Sequence, residues 1–162
     1  MAGPDPHTRW MQLALEQAAL AAAQGEVPVG AVVVRDEEVL AVAHNDREAS
    51  GDPTGHAELI AIRRAAQAIG HWRLEGCSVY VTLEPCAMCA GAMVLARVER
   101  CVFGASDPKG GFMGSLGDLN DHPRLNHRFQ AVPGVLEQEC SQALKDFFRA
   151  LRKRRKAKDT DS

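Results

Sequence analysis

No stretch of this 162-residue chain approaches the roughly 18 consecutive apolar residues that a membrane-spanning helix requires. The N-terminus lacks a charged segment followed by a short apolar one, the pattern of a secretory leader. Together these absences set a cytoplasmic location as the expectation. Internal repeats and a linker are missing too, so residues 1–162 are expected to form a single domain. Cysteine is scarce and odd in number, five residues, which suits a reducing compartment and metal binding better than a disulfide framework. With 46% hydrophobic and 25% charged residues, the composition excludes disorder, collagen-like repeats and a fibrous role.

The net charge of -2 is small but unevenly placed. Seven of the 19 basic residues lie between Arg149 and Ser162 beside two acidic ones, so this segment carries +5 and the rest of the chain -7. The cluster Arg152-Lys153-Arg154-Arg155-Lys156 reads either as a phosphate-binding footprint or as a solvated helix end that suits the negative pole of the helix dipole. On this feature alone the two readings weigh equally.

Hydrophobic spacing predicts a helix from Thr8 to Ala23, its long alanine run implying close packing, with Gly25 at its stop. Gly30–Val34 and Val39–Ala43 are β-prone runs joined by Arg35-Asp36-Glu37-Glu38, the pattern of a hairpin at one side of a sheet. After the turn-rich segment 50–55, a second helix is predicted from His56 to Ile69, ending at Gly70. A strand over Cys77–Leu83, a helix begun at Pro85 and running through Cys86 to Arg97, and a strand over Arg100–Gly104 form a βαβ unit, whose strands should be parallel. Residues 105–128 lack periodicity and make a long loop, a place where substrate contacts are expected. A strand over Gln130–Leu136 and an amphipathic helix from Glu137 through Leu151 close the chain before its polar tail frays. This order predicts an α/β fold: a five-stranded mixed sheet between helices in three layers, α/β/α.

Cys86 and Cys89 stand three apart at a predicted helix start, so their side chains are neighbours that can reach one zinc at about 2.3 Å. The positive end of the helix dipole there favours thiolate, the metal-binding form. His56 is the leading third ligand, with Glu58 close behind it in sequence. Three protein ligands leave one position open, and that count separates catalytic zinc sites from structural ones, which are closed by four. A lone Cys-x-x-Cys is nevertheless common; it also serves redox chemistry or a structural zinc completed by Cys77, Cys101 or a histidine. Otherwise Cys77, Cys101 and Cys140 are expected to be ordinary buried thiols. Taken singly, His56 reads equally well as a helix cap and Glu58 as a solvated first-turn carboxylate. One tension is built in: positions i and i+2 of a regular helix face apart, so His56 must lie at the very start if both residues address one site. The joint pattern His56-Ala57-Glu58 with Pro85-Cys86-Ala87-Met88-Cys89 is the paired signature of zinc nucleobase deaminases.

Around that signature the chain resembles the bacterial tRNA-specific adenosine deaminases of the cytidine-deaminase-like superfamily. The likeness runs from Glu26-Val27-Pro28-Val29-Gly30 through His44-Asn45, Asp52-Pro53-Thr54-Gly55-His56-Ala57-Glu58, Trp72-Arg73-Leu74 and Tyr80-Val81-Thr82-Leu83-Glu84-Pro85-Cys86 to Asn126-His127 and Asp146-Phe147-Phe148-Arg149. Gly55 departs from the alanine common at that place, with only local consequences expected, and Asp46 sets an acid beside Asn45. The resemblance implies one zinc on His56, Cys86 and Cys89. Glu58 would act as proton shuttle for the attack of hydroxide on C6 of adenine, giving inosine and ammonia at the wobble position of a tRNA anticodon loop. It implies further that Asn45 positions the flipped nucleotide, that Val29 and the Leu83 backbone border the base, and that Asp107, Lys109, Phe148 and Arg149 touch flanking nucleotides. From spacing alone Phe148 is equally a core residue, and Asn45 and Asp107 are equally turn formers. A homodimer with substrate sites near its interface is also implied. Rival readings are a deaminase of a free base or nucleoside, such as cytosine or guanine, and a non-catalytic zinc-stabilised RNA-binding domain.

Overall fold

The computed structural model describes residues 5 to 160. Helix α1 (Pro6–Ala23) starts two residues earlier than its apolar spacing predicts, because Asp5 caps it: the Asp5 carboxylate accepts from the His7 N–H, and Pro6 takes the first helical position, where a missing N–H costs nothing. Strands β1 (Gly30–Arg35) and β2 (Glu38–His44) form the predicted hairpin. Asp36 and Glu37 both adopt positive φ (51° and 61°), the backbone of a turn whose twist matches its strands. A one-turn helix, α2 (Arg47–Ser50), follows, and then α3 (Ala57–Ile69), closed by Gly70 in the left-handed region. Strand β3 (Ser78–Leu83), helix α4 (Ala87–Ala96) and strand β4 (Arg100–Ala105) make the predicted βαβ unit. Strand β5 (Gln130–Val132) and helix α5 (Glu137–Thr160) end the described chain.

The five strands are ordered β2-β1-β3-β4-β5, antiparallel at the hairpin end and parallel from β3 onward. The sheet is therefore mixed, as predicted. Its alternating residues feed two cores. Val33, Val79, Val81 and Phe103 pack under α3 and α4, while Val32, Val34, Tyr80 and Val102 pack against Trp10 and Ala14 of α1 and Cys140 of α5. The alanine run does bring α1 close: a Cβ on Gly30 would overlap the backbone of Ala14 and Ala18.

Two boundaries differ from expectation. Strand β5 ends at Val132 rather than Leu136, since Pro133 has no N–H for the ladder and Gly134 turns the chain at φ 80°. Helix α5 does not fray after Leu151 but runs on to Thr160. The segment 152–160 holds no glycine or proline and is mostly Arg and Lys, both good helix formers. Among the described residues, no helix is long and apolar enough to cross a membrane.

Candidate metal centre and its cavity

Both candidate metal-binding segments sit where a chain leaves irregular backbone and enters a helix on the same side of the sheet. His56 is the cap residue of α3, in extended conformation (φ -92°, ψ 142°), and Glu58 lies in the first turn behind it. Because His56 is outside the helix, the i, i+2 geometry no longer separates the two side chains. Cys86 caps α4 in the same way (φ -74°, ψ 176°), whereas Cys89 is helical and fully buried. Pro85 is thus not the first helical residue, contrary to expectation. It stands one place before the cap, and its carbonyl accepts from the Phe112 N–H at 2.9 Å.

His56 Nδ1 lies 3.6 Å from Cys86 Sγ and 3.5 Å from Cys89 Sγ, and the three donor atoms all fall within 4.8 Å of one another. A tetrahedral zinc with bonds of about 2.3 Å to sulfur and about 2.0–2.1 Å to nitrogen requires an N···S edge of roughly 3.6 Å. The donor set therefore fits zinc in chemistry and spacing. Without a metal the same atoms share protons. The neighbouring Cys89 thiol, then His56, holds Cys86 down at about 3, while the Cys86 sulfur raises His56 above the usual imidazole range. Cys89, donating to Cys86 and buried, is held protonated. Binding a cation in place of these protons is the exchange expected of thiolate and imidazole ligands. Cys77, Cys101 and Cys140 take no part: burial raises all three, Cys140 to about 12, and they remain inert packing thiols.

The cluster opens into a cavity of 260 Å³ lined by Val29, Asn45, Glu58, Leu83, Asp107 and Phe148, among others. Glu58 is 4% exposed, and burial pushes its carboxyl above the ordinary carboxylate range. This is a buried acid facing the donors, not a solvated first-turn residue. Asn45 is a cap rather than a local turn former: its Oδ1 accepts from the Ala57 N–H at 2.8 Å, tying the end of β2 to the start of α3. Phe148 is 40% exposed, so core packing does not account for it, and it meets Phe147 edge to face. Asp107 lines the cavity and is also a turn residue, accepting from the N–H groups of Lys109 and Gly110. Lys109 and Arg149 do not line the cavity; both are exposed, and Arg149 pairs with Asp146 on its own helix at 3.9 Å.

Three residues to which the sequence assigns no role belong to this neighbourhood. Arg47, two places after Asn45, lines the cavity and an adjoining 440 Å³ cleft against α5 that also includes Phe148 and Arg155. Glu26, 2% exposed, accepts from the N–H groups of Glu48 and Ala49 and so fixes α2. Glu84 is the third, buried at 3% exposure beside the cavity. The signal for all three is a charged residue inside an otherwise apolar or turn-forming motif. Gly55 also carries more than local weight: a Cβ there would collide with Asp46 Oδ1, so the departure at Gly55 and the acid at Asp46 share one space.

A mixed sheet flanked by helices, with a His/Cys/Cys donor set and a buried glutamate at two helix starts, defines the class of nucleobase deaminases. Consistent with that class, the MafB19-like deaminase family model matches residues 5–152. The chain is 53% identical to a tRNA-specific adenosine deaminase of Bacillus subtilis over 91% of its own length and 92% of the relative's. It also superposes on a solved structure from a study of A-to-I editing by tRNA:A34 deaminases at the wobble position of transfer RNA. That match has TM-score 0.82 and 43% identity, covering 85% of this chain and 99% of the other. A guanine deaminase from Bacillus subtilis shares the fold more loosely, with TM-score 0.60 and 36% identity over 63% of this chain and 66% of its own. The chain belongs to the tRNA-specific adenosine deaminase family.

Proposed function

We propose that the protein deaminates adenosine to inosine at the wobble position of a tRNA anticodon loop, with one zinc held by His56 Nδ1, Cys86 Sγ and Cys89 Sγ. The observation that carries this reading is the meeting of three zinc-spaced donors and a buried carboxyl at the floor of one small cavity. Zinc, when held by these three residues, would supply a water made acidic enough to attack near neutral pH. Glu58 takes a proton from the attacking water and delivers it to ring N1. It then takes the second proton from the hydroxyl added at C6 and passes it to the exocyclic amine; the C6–N bond breaks, ammonia leaves, and the oxygen becomes the carbonyl of inosine. Burial, which holds Glu58 in its protonated form more readily than an exposed carboxylate, suits it to carry that proton.

At 260 Å³ the cavity lies just under the roughly 300–1,000 Å³ of pockets that take drug-sized ligands, room enough for a single purine base. In this reading Asn45, Val29 and the Leu83 backbone hold that base, which their position in the cavity lining supports. Flanking nucleotides fall to the cleft beside it, with Phe148 to stack a base and Arg47 and Arg155 to meet phosphates; Asp107, Lys109 and Arg149 are the further proposed contacts. The basic end of α5 extends the same surface. A tRNA substrate fits a cytoplasmic enzyme.

The second copy in the proposed homodimer covers α4. This helix, Ala87–Ala96, has no charged residue and is apolar all round, the pattern of a helix buried on every side, yet its Leu95 is 71% exposed beside Trp72 at 58%. The substrate is tested by incubating zinc-loaded protein with an anticodon stem-loop bearing a wobble adenosine and, separately, with guanine, cytidine and adenosine, and identifying products by mass spectrometry. Inosine in the stem-loop alone is expected; turnover of free guanine or cytidine with an unmodified stem-loop overturns the reading.

A further inference from the structure

Glu84 lies at the end of β3, two residues before Cys86, with its side chain almost completely buried. Its carboxylate is saturated by the loop that follows β4. Oε1 accepts from the Asp107 N–H at 3.0 Å and from the Ser115 hydroxyl at 2.6 Å; Oε2 accepts from the N–H groups of Met113 at 3.0 Å and Ser115 at 3.1 Å. All four donors come from residues 107–115, a segment that otherwise has no regular structure beyond turns and one isolated bridge between Met113 and Asp118. The loop also wraps the carboxylate closely: a Cβ on Gly111 would overlap the Glu84 carboxyl group, so only glycine fits there. A buried carboxylate that gathers several backbone N–H groups is worth more than the same number of neutral hydrogen bonds.

We propose that Glu84 is a positioning residue for RNA recognition: its carboxylate fixes the 107–115 loop to the short segment between β3 and the start of α4, and so sets where Asp107 meets the substrate. This rests on the proposed function, because Asp107 and Lys109 are the loop's candidate contacts to flanking nucleotides. Glutamine keeps the size of the side chain but has one oxygen, so in either orientation its NH2 is turned toward a backbone N–H that needs an acceptor.

The test uses the zinc-loaded full chain and the variants Glu84→Gln and Ser115→Ala. For Glu84→Gln the expected result is full zinc content and amide exchange at Asp107, Met113 and Ser115 faster by about tenfold or more. KM for the stem-loop should rise by about tenfold with kcat within about twofold, the scale of one broken bond to a charged group. Unchanged loop exchange and KM overturn the proposal, as does a fall of kcat and zinc content together at constant KM, which is the mark of mere support for the metal ligands. If Glu84→Gln does not fold, Ser115→Ala removes one of the four bonds, and a KM rise of about threefold supports the role while wild-type KM and exchange refute it. Failure of the functional reading looks different: the wild-type protein then leaves the stem-loop unmodified, while loop exchange still reports on Glu84.

Discussion

The two walls of the cavity are built differently. On the metal wall, His56, Glu58, Cys86 and Cys89 sit at the starts of α3 and α4, helices packed on the sheet through residues such as Ala57, Ala61, Ala90 and Met93 with no exposed surface. On the opposite wall, Asp107 belongs to an irregular loop whose largest anchor is one buried glutamate, and Phe148 projects from α5, whose later turns carry Leu151 and Arg155 along the adjoining cleft. In the proposed function the difference separates chemistry from recognition: bond making needs donors fixed within tenths of an ångström, which helix starts packed on the sheet supply, whereas the loop wall is where a nucleotide would enter and leave.

If the division holds, each wall fails in its own way. The largest effect belongs to Glu58→Gln, which should lower kcat by roughly 10²–10⁴-fold while zinc content, stem-loop affinity and circular dichroism stay as in the wild type. Preserved turnover would remove Glu58 from the chemistry altogether. Leu95→Asp, on the back of the metal wall, should weaken self-association by about 30-fold or more, read by light scattering at micromolar protein. An unchanged mass would show that α4 is not covered by a second copy.

Gly55→Ala tests the packing just before the metal wall, where Gly55 meets Asp46. The added methyl should destabilise the protein by about 1–3 kcal/mol in thermal unfolding, and Asp46→Ala should restore most of that stability by emptying the shared space. A Gly55→Ala protein as stable as the wild type would mean that the two positions are independent. The smallest effect is expected from ending the chain at Leu151. Stem-loop affinity at low salt should fall a few-fold, with kcat unchanged. The slope of log affinity against log salt should flatten by about 0.7 for each phosphate that is no longer neutralised. An unaltered slope would return the basic segment to a plain solvated helix end.

How much of the molecule is legible in its sequence follows the same division. The metal wall is readable because its residues fall in two short motifs, His-x-Glu and Cys-x-x-Cys, and carry side chains with narrow chemistry; even the i, i+2 conflict points to its own solution, a histidine placed before the helix. All five strands and the parallel βαβ unit follow from hydrophobic period and turn residues. The other wall is hidden because its order comes from long-range hydrogen bonds. Nothing local says that Glu84 binds a loop more than 20 residues further on, or that Glu26 caps the helix at Arg47–Ser50. Helix α5 outruns its sequence prediction because an exposed basic run looks like a frayed tail, although its residues are competent helix formers.

The most direct test of the metal wall as the reactive centre is a zinc titration of metal-stripped protein, with inosine formation in the stem-loop as the readout. Activity absent at the start, rising in proportion to added zinc and levelling at one zinc per chain is the predicted result. Full activity in the metal-stripped protein, or none at one equivalent, would contradict it.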